Sequence, residues 1–140
     1  MKINIPVNIF KQLITQIDES LPYEACGLLF GTIHDSFTRF NVQTIQKFDN
    51  ISKHPEKSFI IDPELLYQAL CTFEEQNLEL VTIYHSHKAA PYPSQSDLNY
   101  MEGWRIVWLV FSTINCGSDF TYAAFMLKQN ILSSVTVNIV

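Results

Sequence analysis

The stretch LVTIYHSHKAAPYPSQSDL, residues 80–98, changes periodicity halfway along, and the rest of the chain is best read outward from it. Leu80 to Tyr84 is a short apolar run that ends on His85-Ser86-His87. This predicts a strand, and the two-residue period of a strand turns His85 and His87 to one face and Ser86, a structural residue, to the other. Pro91 and Pro93 predict a loop, and Ser94 to Trp104 a short third helix. Ser94-Gln95-Ser96-Asp97 before Leu98 has the form of a helix N-terminus, with a capping serine and an acidic third residue. Two imidazoles on one face can meet a metal ion, and Asp97 would complete three N/O ligands, the number a catalytic zinc site uses while leaving one position for water. Such a set suits Zn²⁺ better than Ca²⁺ or Mg²⁺, which prefer oxygen shells. On these residues alone the histidines also fit a structural or merely exposed pair. Asp97 fits a cap as well as a ligand, and the two roles are compatible.

Upstream, Val7, Ile9, Phe10, Leu13, Ile14 and Ile17 recur at helical spacing, predicting a first helix from Pro6 to about Glu19 that ends before Pro22. Ala25 to Ile33, apolar and broken by Gly27 and Gly31, predicts a buried strand. Phe37 to Phe48 alternates and predicts an amphipathic strand, joined to the previous one by a hairpin at Asp35 and Ser36. Lys57 to Ile61 reads as a short strand, and Asp62-Pro63-Glu64 as the cap and first turn of a second helix running to about Asn77. Downstream, Arg105 to Ser112, Asp119 to Lys128 and Ile131 to Val140 read as three more strands, separated by Asn115, Gly117 and Asn130. This order predicts an α/β (α+β) domain, a curved mixed β-sheet flanked by two to three helices.

The 140 residues fit one domain, 1–140. Hydrophobic residues make up 47% and charged ones 16%, which argues against disorder. The net charge of −5 supplies no basic footprint for nucleic acid. The N-terminus lacks an apolar run with a cleavage site, and the longest strongly apolar stretch, Ile106 to Phe111, cannot span a membrane. Cys26, Cys71 and Cys116 form no CxxC pair and no complete disulfide set, so a reducing, cytoplasmic location is expected. There is no HExxH helix, no PCxxC after the histidines, and no glycine-rich phosphate loop. His34 and His54 have no partner motif and read as surface residues, and Trp104 and Trp108 as core or interface. Association into a homodimer stays open.

His85-Ser86-His87, Ser94-x-x-Asp97 and Glu24 within Tyr23-Glu24-Ala25-Cys26-Gly27-Leu28-Leu29 together resemble the JAMM (MPN+) metalloprotease family, its bacterial stand-alone members most of all. Phe59-Ile60-Ile61-Asp62-Pro63 belongs to the resemblance, which spans most of the chain. It implies a cytidine-deaminase-like JAB/MPN architecture and one Zn²⁺ per chain on His85, His87 and Asp97, with Glu24 as general base and Ser94 as donor to the oxyanion. The chemistry suits those roles, since zinc lowers the pKa of a bound water from about 15.7 to about 7. Glu24 would carry the water proton to the leaving amine, and the Ser94 hydroxyl would stabilise developing negative charge. The implied substrate is the C-terminal tail of a ubiquitin-like or sulfur-carrier-like protein.

Six residues, Lys88 to Pro93, separate His87 from Ser94, where the family usually has seven, and Lys88 stands where proline is common. The loop is expected to absorb that shortening and to form part of a cleft beside an exposed sheet edge, where an extended tail adds as a strand. Two rival readings are a Cys26 nucleophile paired with His85 and a metal-free MPN-like scaffold or interaction domain. Cys26 reads more simply as a buried strand thiol.

Overall fold

The computed structural model describes residues 1–114 and 120–140. The turn residues Asn115 and Gly117, the third cysteine Cys116 and the strand start predicted at Asp119 lie outside the described residues. In chain order the elements are β1 (Lys2–Ile5), α1 (Val7–Ser20), β2 (Cys26–His34), β3 (Arg39–Phe48), α2 (Pro63–Glu74), β4 (Glu79–His87), α3 (Gln95–Met101), β5 (Val107–Ser112), β6 (Thr121–Lys128) and β7 (Ile131–Ile139). The expected curved mixed sheet with three helices is present, and its curvature runs to closure. The strands form a barrel in the order β1-β3-β2-β4-β5-β6-β7, because β1 pairs in parallel with both β3 and β7. β1 is an element that the sequence reading lacked. Ile3 and Ile5 are its fully buried residues.

One apolar cluster takes side chains from all seven strands, which on a closed sheet can only be the inner face. The helix α1 belongs to that cluster through Ile9, Leu13 and Ile17, the buried stripe of its helical repeat. Each such residue stabilises the fold by about 1.5–3 kcal/mol on full burial. The outer face carries a second cluster around Leu28, Phe30, Ile83, Trp108 and Phe125. There α2 packs through Leu66, Leu70 and Phe73, and α3 through Leu98 and Met101.

The pairing of β2 with β4 slips between Leu29↔Thr82 and Phe30↔Leu80, so Val81 is a bulged extra residue. The bulge resets the alternation. Val81 and Tyr84 face inward, while Ile83 lies in the outer cluster, the face on which His85 meets Trp108. Beyond the bulge Cys26 pairs with His85, which brings the start of β2 level with the histidines.

The hairpin falls where expected, with Asp35, Ser36 and Phe37 at positive φ and Thr38 Oγ1 donating to the Asp35 carbonyl at 2.6 Å. The strands predicted from Phe37 and Arg105 start two residues later, at Arg39 and Val107, and three larger differences concern residues 57–61 and the ends of α2 and α3. Residues 57–61 are not a strand: Lys57 closes a turn with its N–H on the His54 carbonyl, and residues 58–61 have no partner strand. The Asn50 side chain takes that place, accepting from Ile60 N–H at 3.1 Å and donating to the Ser58 carbonyl at 2.9 Å. Helix α2 stops at Glu74 rather than Asn77. Asn77 adopts a left-handed φ of 61°, with Leu78 N–H bonded to Phe73 O and Asn77 N–H to Glu74 O, a Schellman ending. Helix α3 ends at Met101, short of Trp104, and Gly103 takes a φ of 81°. Among the described residues no helix is long and apolar enough to cross a membrane.

Candidate metal centre

His85 lies near the end of β4, a strand hydrogen-bonded on both sides by β2 and β5, so its backbone has little freedom. Its ring is stacked on Phe59 with centroids 4.6 Å apart, and meets Trp108 and His87 edge-on at 6.2 and 5.3 Å. Asp97 arrives from the first turn of α3. Ser94 caps that helix by accepting Asp97 N–H at 3.1 Å, and Asp97 Oδ2 accepts Ser94 N–H at 2.8 Å in return. The same Oδ2 lies 3.1 Å from His85 Nε2. Cap and potential ligand are therefore one carboxylate. One ligand atom from each of His85, His87 and Asp97 can be chosen with all three within 4.8 Å of one another, close enough to hold one metal ion. The six-residue loop turns back so that the Ala90 carbonyl lies 2.7 Å from His87 Nε2.

Protonation states favour a cation. His85 Nδ1 is buried without a hydrogen-bond partner, and buried Nε2 has only the Asp97 carboxylate beside it, 3.1 Å away. Leaving buried polar atoms unpaired costs about 1–3 kcal/mol each, which a shared metal ion would offset. Burial pushes the Asp97 carboxyl up, but the His85 ring and the bonds from Ser94 outweigh it and hold the group below its ordinary value. Burial, aided by His85, pushes His87 down against the opposing pull of Ala90 and Asp97. An ionised carboxylate and a neutral imidazole are the forms that bind a metal. The His87 bond to Ala90 fixes one ring nitrogen as donor and frees the other, as is usual for ligating histidines.

Glu24, just before β2, is 7% exposed and lines the same small cleft of about 60 Å³ with His85, His87, Ser94 and Asp97. Burial first, and then the nearby Asp97, push its carboxyl up to about 7. Ser94 is exposed. Its Oγ accepts from Asp97 N–H, so the hydroxyl proton is left to donate elsewhere. Thus all five residues singled out in the sequence converge on one cleft. The opposite wall is Lys57, Ser58 and Phe59, not the Lys88–Pro93 loop as expected, since no residue of that loop lines it. The barrel closes, yet β1 pairs only with Arg39–Asn41 of β3, so the run from Val42 to Phe48, which ends beside Cys26, keeps one side without a strand partner among the described residues.

Two residues that hold Glu24 were not assigned that task by sequence. Asn50 Nδ2 donates to the Glu24 carbonyl at 3.0 Å, and Glu24 N–H donates to the Pro55 carbonyl at 2.7 Å. Ser86, between the histidines and facing away from them, accepts Ala25 N–H on its Oγ at 2.9 Å, and its own N–H donates to the Ala25 carbonyl at 3.0 Å. The position of Ser86 within His-Ser-His was the one available signal, while Asn50 carried none. Ser86→Ala leaves a buried N–H unpaired and is expected to cost about 1–3 kcal/mol of stability. Chemical denaturation measures it, and a loss below about 0.5 kcal/mol would mean that water replaces the hydroxyl.

Cys26 does not fit a nucleophile. It is fully buried, its thiol lies 3.7 Å from the Phe48 carbonyl, and burial, with Glu24 and Asp49, pushes it up to about 12. His34 bonds Thr32 at 2.8 Å, and neither it nor His54 lines the cleft. Trp108 is core, as read, whereas Trp104 is 38% exposed.

The fold and the cleft define an α+β barrel carrying a two-histidine, one-carboxylate group with a buried glutamate across from it. Residues 6–127 match the family described as prokaryotic homologs of the JAB domain, and the chain belongs to that family. It is 35% identical over 130 residues to a desampylase of Pyrococcus furiosus, covering 91% of this chain and 84% of that one. It is 28% identical over 110 residues to a probable TtuB-protein conjugate cleaving protease of Thermus thermophilus, covering 78% and 69%. The solution structure of a Desulfitobacterium hafniense protein superposes with a TM-score of 0.82 at 20% identity, over 99% of this chain and 94% of that one, which bears on the fold.

Proposed function

We propose that the chain is a zinc-dependent metallopeptidase or isopeptidase that hydrolyses the peptide or isopeptide bond at the C-terminal tail of a ubiquitin-like or sulfur-carrier-like protein. The observation that carries this reading is the meeting of a buried His85, whose Nδ1 has no hydrogen-bond partner, with His87, Asp97 and a Glu24 held up near 7 in one cleft. The names of the relatives, a desampylase and a conjugate-cleaving protease, support the same reaction class. A scaffold without turnover gives no reason for a buried imidazole nitrogen without a partner beside a raised glutamate and a buried carboxylate.

His85, His87 and Asp97 are the residues that would hold zinc. There the ion would supply an acidified water at neutral pH and a Lewis acid for the scissile carbonyl. Glu24, once ionised, takes the proton of the attacking water and returns it to the departing amine nitrogen. The water oxygen bonds to the carbonyl carbon as the carbon–nitrogen bond breaks. Ser94 donates its free hydroxyl proton to the carbonyl oxygen as charge develops there. Phe59, stacked on His85, keeps that ring upright and keeps water from it.

Residues 57–61 suit an extended tail better than the loop originally expected. Ser58 spends its N–H on the His54 carbonyl and its carbonyl on Asn50, and Ile60 spends its backbone groups on Asn50 and Ile51. The N–H and C=O of Phe59 and Ile61 take no hydrogen bond among the described residues. These groups are open to pair with a tail lying in the cleft.

The test is cleavage of a ubiquitin-like protein bearing a C-terminal extension, with and without chelator, alongside elemental analysis. The expected result is about one zinc per chain and hydrolysis that chelator abolishes and zinc restores. Purified protein that takes up no zinc, or cleavage indifferent to chelator, would overturn the reading.

A further inference from the structure

The cleft opens into an apolar groove of about 300 Å³, and Phe59 and Tyr100 line both. Ile61, Leu66 and Trp104 are among its walls. Trp108 lines it too, 2% exposed and with an indole N–H that has no hydrogen-bond partner, so the groove contains a donor waiting for an acceptor. Trp104 in turn lines a second, open pocket with Arg105 and Lys128. Shared residues thus make the three pockets neighbours in a row, cleft beside apolar groove at Tyr100 and groove beside basic pocket at Trp104.

The end of the row is electrostatically incomplete. No carboxylate lines the basic pocket, and among the described residues neither Arg105 nor Lys128 has an ion-pair partner. Arg105 is held with its guanidinium 4.2 Å over the Phe37 ring, and Asp35, near that ring in sequence, is already paired with Arg39 at 3.0 Å. In a chain of net charge −5, two unneutralised cations in one pocket are a local reversal of sign that attracts an anionic group. Its distance from the chemistry follows from the strands. The register of β4 and β5 puts His87 level with Ser112, and Arg105 lies seven residues before Ser112. At about 3.3 Å per residue this is roughly 23 Å, or about seven residues of extended peptide.

We propose that this row of pockets reads the substrate tail upstream of the scissile bond. The groove takes an apolar residue, and Arg105 with Lys128 takes a carboxylate about seven residues from the cleavage point, so that acidic tails are selected over basic ones. The inference rests on the isopeptidase reading, because the tail that pairs with Phe59 and Ile61 is led by those same residues into the groove.

The test is binding, which needs no turnover. Two fluorescein-labelled peptides ending in Gly-Gly, with an apolar residue midway, carry either glutamate or lysine about seven residues from the end. Fluorescence anisotropy at low salt is expected to show the glutamate peptide bound about five- to tenfold more tightly, a preference that shrinks as salt rises. Lys128→Glu, which leaves the Arg105–Phe37 contact intact, should remove the preference, and Arg105→Glu with Lys128→Glu should reverse it. Lys11→Glu, on α1, alters net charge away from the pocket and should leave it unchanged. Equal binding of the two peptides, tighter binding of the lysine peptide, or a preference that survives in Lys128→Glu would overturn the proposal. Cleavage by the wild-type protein separates the two levels. If conjugates with either tail are cut equally well, the recognition path is wrong and the hydrolase reading stands. If none is cut while the glutamate preference persists, the hydrolase reading fails and the anionic pocket stands.

Discussion

Glu24→Gln protein is expected to keep its metal and to lose about 10²–10⁴-fold in kcat, the range spanned by a positioned general base. The amide fills the same volume and leaves the backbone bonds to Asn50 and Pro55 in place, so the loss reports proton transfer rather than misfolding. Elemental analysis and steady-state kinetics on one preparation decide it, and unchanged kcat would remove Glu24 from the mechanism. A second signature is thermodynamic. In the metal-free protein the Glu24 carboxyl is raised from 4.5 to about 7, so the folded state holds this proton more tightly than the unfolded chain does. That contribution is complete below pH 4.5 and is lost as pH rises through about 7. Above that window ionised Glu24 costs up to about 3 kcal/mol. Metal-free Glu24→Gln should therefore resist urea better than metal-free wild type at pH 8, with the gap closing toward pH 4.5. Equal midpoints at pH 8 would show that the carboxylate is well solvated.

Asp97→Ala should abolish hydrolysis, because one side chain is both the cap of α3 and the third member of the metal group. Metal content is expected to fall from about one per chain toward zero, and stability by about 1–2 kcal/mol from the lost capping box. Ser94→Ala is the matched control. It removes the hydroxyl that accepts Asp97 N–H but leaves the carboxylate, so it should lose similar stability, retain metal and lower kcat without eliminating it. Should Asp97→Ala lower only the denaturation midpoint while metal and activity persist, Asp97 is a cap and nothing more.

What the sequence makes legible is local. The alternation around His85 and His87, the Ser94-x-x-Asp97 cap and the Asp62-Pro63 start of α2 depend on neighbours a few residues away, and each is found in place. What it hides depends on distant partners. Four residues of β1 become a strand because Arg39–Asn41 and Thr136–Ile139 flank them. Residues 57–61 have the composition of a strand, and a single asparagine side chain stands in for the missing neighbour. The bulge at Val81 leaves no mark in the apolar run that contains it, yet it sets which face the histidines take. The Lys88–Pro93 loop, expected to form part of the cleft, does not line it, and the wall comes instead from Lys57, Ser58 and Phe59, some thirty residues earlier in the chain.

The pairing of Cys26 with His85 also has a temporal consequence. His85, His87 and Asp97 lie within thirteen consecutive residues and need only one strand, one loop and one helix turn to meet. Glu24 precedes His85 by 61 residues and reaches the cleft only when β2 zips onto β4, with the greater loop-closure entropy that such separation carries. During folding the ligands can assemble before the base arrives. A chain that has joined β4 to α3 but not yet to β2 holds its three metal-capable side chains without the glutamate, and the cleft is complete only once β2 is in place.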